Sequence, residues 1–301
     1  MSEPIESSEI SIPTRPKLWR WLLGTFIILL AWLIGGSILT VIISFQFDLD
    51  LSALAGNDAA SREVVATYPT WQAALAVLIS FLPLLLFPIL LHRYLLKAPI
   101  RELFTRNKGG FWREVKIGAA VMSALLILSA LPDFIFNQGA YRFTFDLAEF
   151  LPYLAIALIF IPIQSTAEEV FYRGWIQQRL ENGRRSIVVV SGASALLFAL
   201  PHLGNPEVGS EYFFAAIGYG ATGFMFAWVS MRDRSIGVAI GAHAANNLLA
   251  GLILTSADSA LPSASVFTYP KVAWVPAAIF SILFIPAFIW LTGKWRIRVS
   301  I

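Results

Sequence analysis

Residues 147–180 read LAEFLPYLAIALIFIPIQSTAEEVFYRGWIQQRL, and this stretch decides the fold. A bilayer crossing needs about 20 predominantly apolar residues. The segment supplies such a run and then brings Glu168, Glu169 and Arg173 into it. Ionisable side chains within a membrane span are costly and point to function. The segment therefore predicts a membrane helix that carries a chemical group.

The composition extends this reading to the whole chain. Of 301 residues 57% are hydrophobic and 14% are charged, and mean hydropathy is +0.70. A soluble domain has about 45–50% apolar and about 25% charged residues, so an ordinary soluble protein is excluded. The chain has no cysteine, which excludes a disulfide framework, a cysteine zinc site and a thiol nucleophile. Spans are expected roughly at 18–45, 71–96, 114–132, 147–180, 186–203, 211–231, 236–255 and 272–293. The fold class is an all-α polytopic membrane protein of about eight transmembrane helices. Both termini are expected in the cytoplasm.

The basic residues test this layout. With the N-terminus inside, segments 15–20, 93–116, 173–185, 232–234 and 294–298 hold 19 of the 22 Lys and Arg residues. Arg62, Arg142 and Lys271 alone fall outside. A wrong span count would scramble that split. Topology thus explains the net charge of +3, and no nucleic-acid partner is expected. The first span is too long and apolar for a signal-peptide core and reads as an uncleaved anchor. The expected organisation is a polar tail at 1–17, helices over 18–132, a functional core over 147–255, and a last helix with a basic tail over 272–301. The inverted repeat common in transporters is not evident. A multi-pass plasma-membrane location is expected.

Three polar clusters fall within the spans. In AEEVFYRGW, 167–175, Glu169 and Arg173 are four residues apart, with Glu first, which favours an ion pair on a helix. Glu168 points about 100° away, so one carboxylate is paired and one is free. The free one is a candidate base. The competing reading is a pair of interfacial carboxylates beside a topogenic arginine. In FALPH, 198–202, Phe198 and His202 share a face, and Pro201 can kink the helix there; a packing histidine is the alternative. In GAHAANN, 241–247, His243 and Asn247 share a face and Asn246 turns away. Interhelical polar glue is the alternative there. Gly237 and Gly241 allow a neighbouring helix to approach closely. His92 reads as an interfacial residue at a span end.

Glu168 and His202 lie at equal separations on either side of Arg185 in the ENGRRS turn, 181–186. In an antiparallel hairpin they reach similar heights, about 25 Å from the turn. His243 is nominally shallower, about 11 Å from residue 236, so the seventh helix must be offset for all three to meet. A glutamate, two histidines and an asparagine without a serine or cysteine nucleophile suggest water activation. Glu168 could take the proton while His202 orients the water. His243 and Asn247 could donate to an oxyanion. No cofactor is required. Glu168, His202 and His243 could alternatively hold Zn²⁺ with an open position for water, although no HExxH spacing is present.

The motifs E-E-V-F-Y-R (Glu168, Glu169, Arg173), F-A-L-P-H (Phe198, His202) and H-A-A-N-N (His243, Asn247) occur in this order on successive spans. The set resembles EExxxR, FxxxH and HxxxN/D of the CPBP family of intramembrane proteases. That family includes type II CAAX prenyl endopeptidases and bacterial abortive-infection or bacteriocin-processing relatives. The resemblance implies an intramembrane endopeptidase whose site opens to the cytoplasm. It assigns Glu168 and His202 to water activation, and His243 and Asn247 to oxyanion support. Glu169 and Arg173 brace the site. It implies a peptide or protein substrate, membrane-bound or prenylated in some relatives, and contact with lipids. The family is described both as metalloproteases and as metal-independent glutamate proteases. A proton-coupled transporter using the same residues as a relay, and a non-catalytic membrane scaffold or regulator, are the alternatives.

Overall fold

A computed structural model describes residues 17–56, 58–107, 109–181 and 185–297. Most of the polar tail, the centre of the 181–186 turn and the end of the basic tail lie outside the described residues. Eight principal helices carry the described residues. They are α1 Leu18–Phe47, α2 Thr70–Tyr94, α3 Phe111–Phe136, α4 Leu147–Leu180, α5 Ile187–His202, α6 Tyr212–Asp233, α7 Gly237–Leu252 and α8 Trp274–Ile297. The protein is a multi-pass, nearly all-α membrane protein.

Six of these helices are long and apolar enough to cross a membrane. The expected spans at 186–203 and 236–255 are the exceptions. The helices there, α5 and α7, have 16 residues each, about 24 Å against a hydrocarbon core of about 30 Å. Helix α5 ends at His202 and carries Pro201 in its last turn, where the backbone ladder loses one hydrogen bond. Helix α7 gives way to a strand, β2 Leu254–Ser256. Phe26, Leu33, Leu196 and Leu283 are among many exposed apolar side chains, as expected for faces turned to lipid.

Helix α7 runs through the interior, with Val238, Ala239, Ala242 and His243 buried. Its closest neighbour is α3. A Cβ on Gly241 would collide with the Val115 carbonyl, and one on Gly118 with the Val238 carbonyl. The small-residue spacing read from Gly237 and Gly241 thus serves an α3–α7 crossing in which backbones touch.

Hydrogen bonds define two ends of the bundle. At the basic end, Arg106 N donates to Arg234 O at 2.9 Å and Ile236 N to Phe104 O at 2.9 Å. Gln178 Nε2 donates to Glu102 O at 2.7 Å, and Arg113 Nη2 to Trp295 O at 3.1 Å. The connections before α3 and α7 are thereby joined to each other and to the last turn of α4, and the first turn of α3 to α8. At the opposite end a small sheet forms from β1 Arg142–Phe143, β2 and β3 Phe267–Tyr269, in the order β1-β3-β2. The β1–β3 pair is antiparallel and β2–β3 is parallel. Thr70 N donates to Glu149 Oε2 at 2.9 Å, tying α2 to α4 at this sheet end.

Candidate active site

Asp146 caps the first turn of α4, accepting from Ala148 N at 2.8 Å. The helix then runs inward to Glu168 and Glu169, both buried. A π-helical stretch, Val170–Gln177, begins at the next residue, and all of its side chains are buried. Such insertions recur at functional sites. Glu169 Oε1 accepts from Arg173 Nη1 at 3.1 Å and lies 2.8 Å from His243 Nδ1. Arg173 Nη2 donates to Gly223 O at 3.1 Å, and the guanidinium sits 4.5 Å over the Phe198 ring. A buried arginine is thus held by a carboxylate, a carbonyl and an aromatic face, as a buried charge requires.

The other carboxylate is held differently. Glu168 Oε1 accepts from Gln164 Nε2 at 2.8 Å. Gln164 Oε1 in turn accepts from Asn247 Nδ2 at 3.0 Å. Glu168 Oε2 lies 3.5 Å from His243 Nε2 and has no hydrogen-bond partner among the described residues. His243 therefore stands between the two glutamates, Nδ1 on Glu169 and Nε2 facing Glu168. A carboxylate only accepts, so Nδ1 carries the proton and Nε2 is left for chemistry.

His202 closes α5. Its Nδ1 contacts the Phe198 carbonyl at 2.7 Å, and its ring lies 4.5 Å from Phe198 and 4.7 Å from Tyr219 between centroids. Phe198, one turn earlier, packs on His243 at 5.8 Å. The structure thus brings Glu168, Glu169, Arg173, His243, Asn247 and Phe198 into one network. It sets His202 beside that network, on the wall of the same cavity. Asn246, expected to turn away, also lines this cavity and donates to Asn247 Oδ1 at 3.0 Å. His92 is buried beside Trp175, with ring centroids 6.5 Å apart, and does not line the cavity.

The cavity has a volume of about 550 Å³, within the range that binds small ligands and peptide segments. From Glu168 it runs to Glu207, Ser259 and Tyr269 in the loops of the sheet end. Glu207 organises that mouth. Its carboxylate accepts from Tyr219 Oη at 2.7 Å, Asn205 Nδ2 at 3.0 Å and Ala260 N at 2.9 Å. Burial pushes the Tyr269 phenol above its ordinary pKa, partly opposed by Ser256, so it presents a neutral hydroxyl. Gln164, Tyr219 and Glu207 were not singled out from sequence. Gln164 carried a signal, because it stands four residues before Glu168 in an apolar run and so shares its face. Tyr219 and Glu207 carried none, since loop folding brings them in.

Among the described residues no group of three or more His, Asp or Glu side chains is placed to hold a metal ion. His243 Nδ1 is engaged by Glu169 and His202 Nδ1 by a carbonyl, which leaves each Nε2 as the ring atom a metal would take.

The fold and this network define a polytopic helical membrane protein with a buried carboxylate–histidine site. Residues 147–249, the motif-bearing core of the chain, match the family model for "Type II CAAX prenyl endopeptidase Rce1-like". Over 189 residues the chain is 33% identical to "Uncharacterized protein YyaK" of Bacillus subtilis (strain 168). The aligned region covers 60% of this chain and 62% of that relative, less than two thirds of its length. No solved structure matches.

Proposed function

We propose that the protein is an intramembrane endopeptidase of the plasma membrane that uses Glu168 as the base activating a water molecule. One observation carries the reading: the unpartnered Glu168 Oε2 faces His243 Nε2 at 3.5 Å across the wall of a peptide-sized cavity. That gap is longer than a direct hydrogen bond and suits an oxygen bridging both atoms. The match of residues 147–249 to an endopeptidase family model supports it.

In this mechanism water gives a proton to Glu168 Oε2 while its oxygen adds to the substrate carbonyl. Asn247 Nδ2 has a second N–H beyond the one engaged by Gln164 and supports the oxyanion. Glu168 returns the proton to the amide nitrogen as the C–N bond breaks, leaving a carboxylic acid and an amine, and the acid then gives its proton to the amine. Glu169 fixes His243 through Nδ1, and Arg173 balances the charge of Glu169. With its Nδ1 proton directed to Phe198 O, His202 presents an Nε2 lone pair that orients water or the departing amine. No step requires a metal.

The test compares membrane peptide termini, by mass spectrometry, in cells expressing the protein or its Glu168→Ala variant at matched levels. New termini that depend on Glu168 are expected. Identical termini with both proteins folded and inserted would overturn the proposal and favour a scaffold or a carrier.

A further inference from the structure

The cavity and the basic loops lie at opposite ends of the bundle. Its loop-borne walls, Asn205, Glu207, Ser259, Ala260, Tyr269 and Val272, belong to the connections before α6 and α8. None comes from the described parts of 95–110, 181–186 or 232–236. Toward the basic end the site is backed by packed side chains, with Phe171, Tyr172, Trp175, Ile176, Leu103 and Ile236 in one buried cluster. A notch at that end, touching Arg106, Arg173 and Gln177, measures about 20 Å³. That is room for about one water, against about 550 Å³ on the other side.

Basic loops mark the cytoplasmic face, and among the described residues Arg106, Arg113, Arg232 and Arg234 stand at the basic end, while the segments of the sheet end carry only Arg62, Arg142 and Lys271. We infer that the cavity opens on the outer face of the membrane and receives a peptide segment presented from that side. This is opposite to the cytoplasmic opening that the family resemblance implies. The lining chemistry narrows the occupant. Glu168 and Glu207 line the cavity, and no Lys or Arg does among the described residues. Such a lining offers no cation to hold a free C-terminal carboxylate, and it favours a neutral or basic internal stretch. The nature of the occupant rests on the proteolytic reading; the sidedness does not.

Because the chain has no cysteine, single cysteines report sidedness directly. Ala260→Cys marks the mouth, Thr222→Cys the interior of the cavity, and Gly109→Cys the basic end, where an added Cβ meets no neighbour. Intact bacterial spheroplasts are treated with a small membrane-impermeant thiol reagent, and a permeant reagent confirms that each thiol is reactive. Ala260→Cys and Thr222→Cys are expected to react from outside, with Gly109→Cys at least about tenfold slower until permeabilisation. Modification of Gly109→Cys alone, equal modification of all three, or protection of Thr222→Cys until permeabilisation would each overturn the inference. The readout does not depend on catalysis, so a failed protease assay leaves it intact and the reverse also holds.

Discussion

Glu168 and Glu169 are adjacent in sequence and differ in what surrounds them. Glu169 is locked between Arg173 and His243, while Glu168, which lines the cavity, keeps one oxygen without a hydrogen-bond partner among the described residues. Substituting each should therefore fail in a different way. Glu168→Gln preserves a carbonyl for Gln164 and the side-chain shape. It is expected to lower cleavage by about 10²–10⁴-fold, with an unchanged melting temperature in detergent. Arg173→Met leaves a buried carboxylate without its counter-charge. It should cost on the order of 3–5 kcal/mol of stability, read as a lowered melting temperature. Adding Glu169→Gln should recover part of that loss; no recovery would show that the pair is not the source of the cost. The Glu169–Arg173 spacing was legible because it is local to one helix. The sharing of His243 between two carboxylates was not, because it needs α7 seated against α4. The rotamer that turns His202 onto Phe198 O was equally invisible, since four-residue spacing fixes a face and not a ring orientation.

Among the elements, the α3–α7 crossing governs where His243 stands. Gly241→Val inserts a branched side chain where backbones touch. Overpacking of this kind costs about 1–3 kcal/mol or more, and separation of the helices moves His243 away from Glu168. Loss of cleavage is expected together with lower thermal stability, whereas Gly192→Ala, where an added Cβ meets nothing within 4 Å, should change neither. Full activity in Gly241→Val would contradict the crossing. Gly237 and Gly241 announced a close neighbour from sequence, but no local pattern could say that α3 was the partner. The long apolar helices were readable from composition. The short reach of α5 and α7 was not, because apolar residues continue into the connections that end them.

For the whole molecule, the two ends decide which substrates can arrive. Charge counting told the ends apart, yet the cavity is assembled from α2, α3, α4, α5, α6, α7, α8 and two loops, a non-local arrangement no motif encodes. If the cavity opens outward, Glu168-dependent cut sites should fall in segments on the outer side of the membrane, flanked by neutral or basic residues. A predominance of cuts just before free cytoplasmic C-termini would count against this. Water activation at Glu168 is the claim on which the account rests, and purified protein in proteoliposomes tests it most directly. Intact protein and Glu168→Gln, each shown to be folded, are incubated with extracted membrane peptides, and newly formed termini are identified by mass spectrometry. Discrete new termini are expected with the intact protein, and their loss with Glu168→Gln. The same termini from both proteins, or none from the intact one, would contradict that claim.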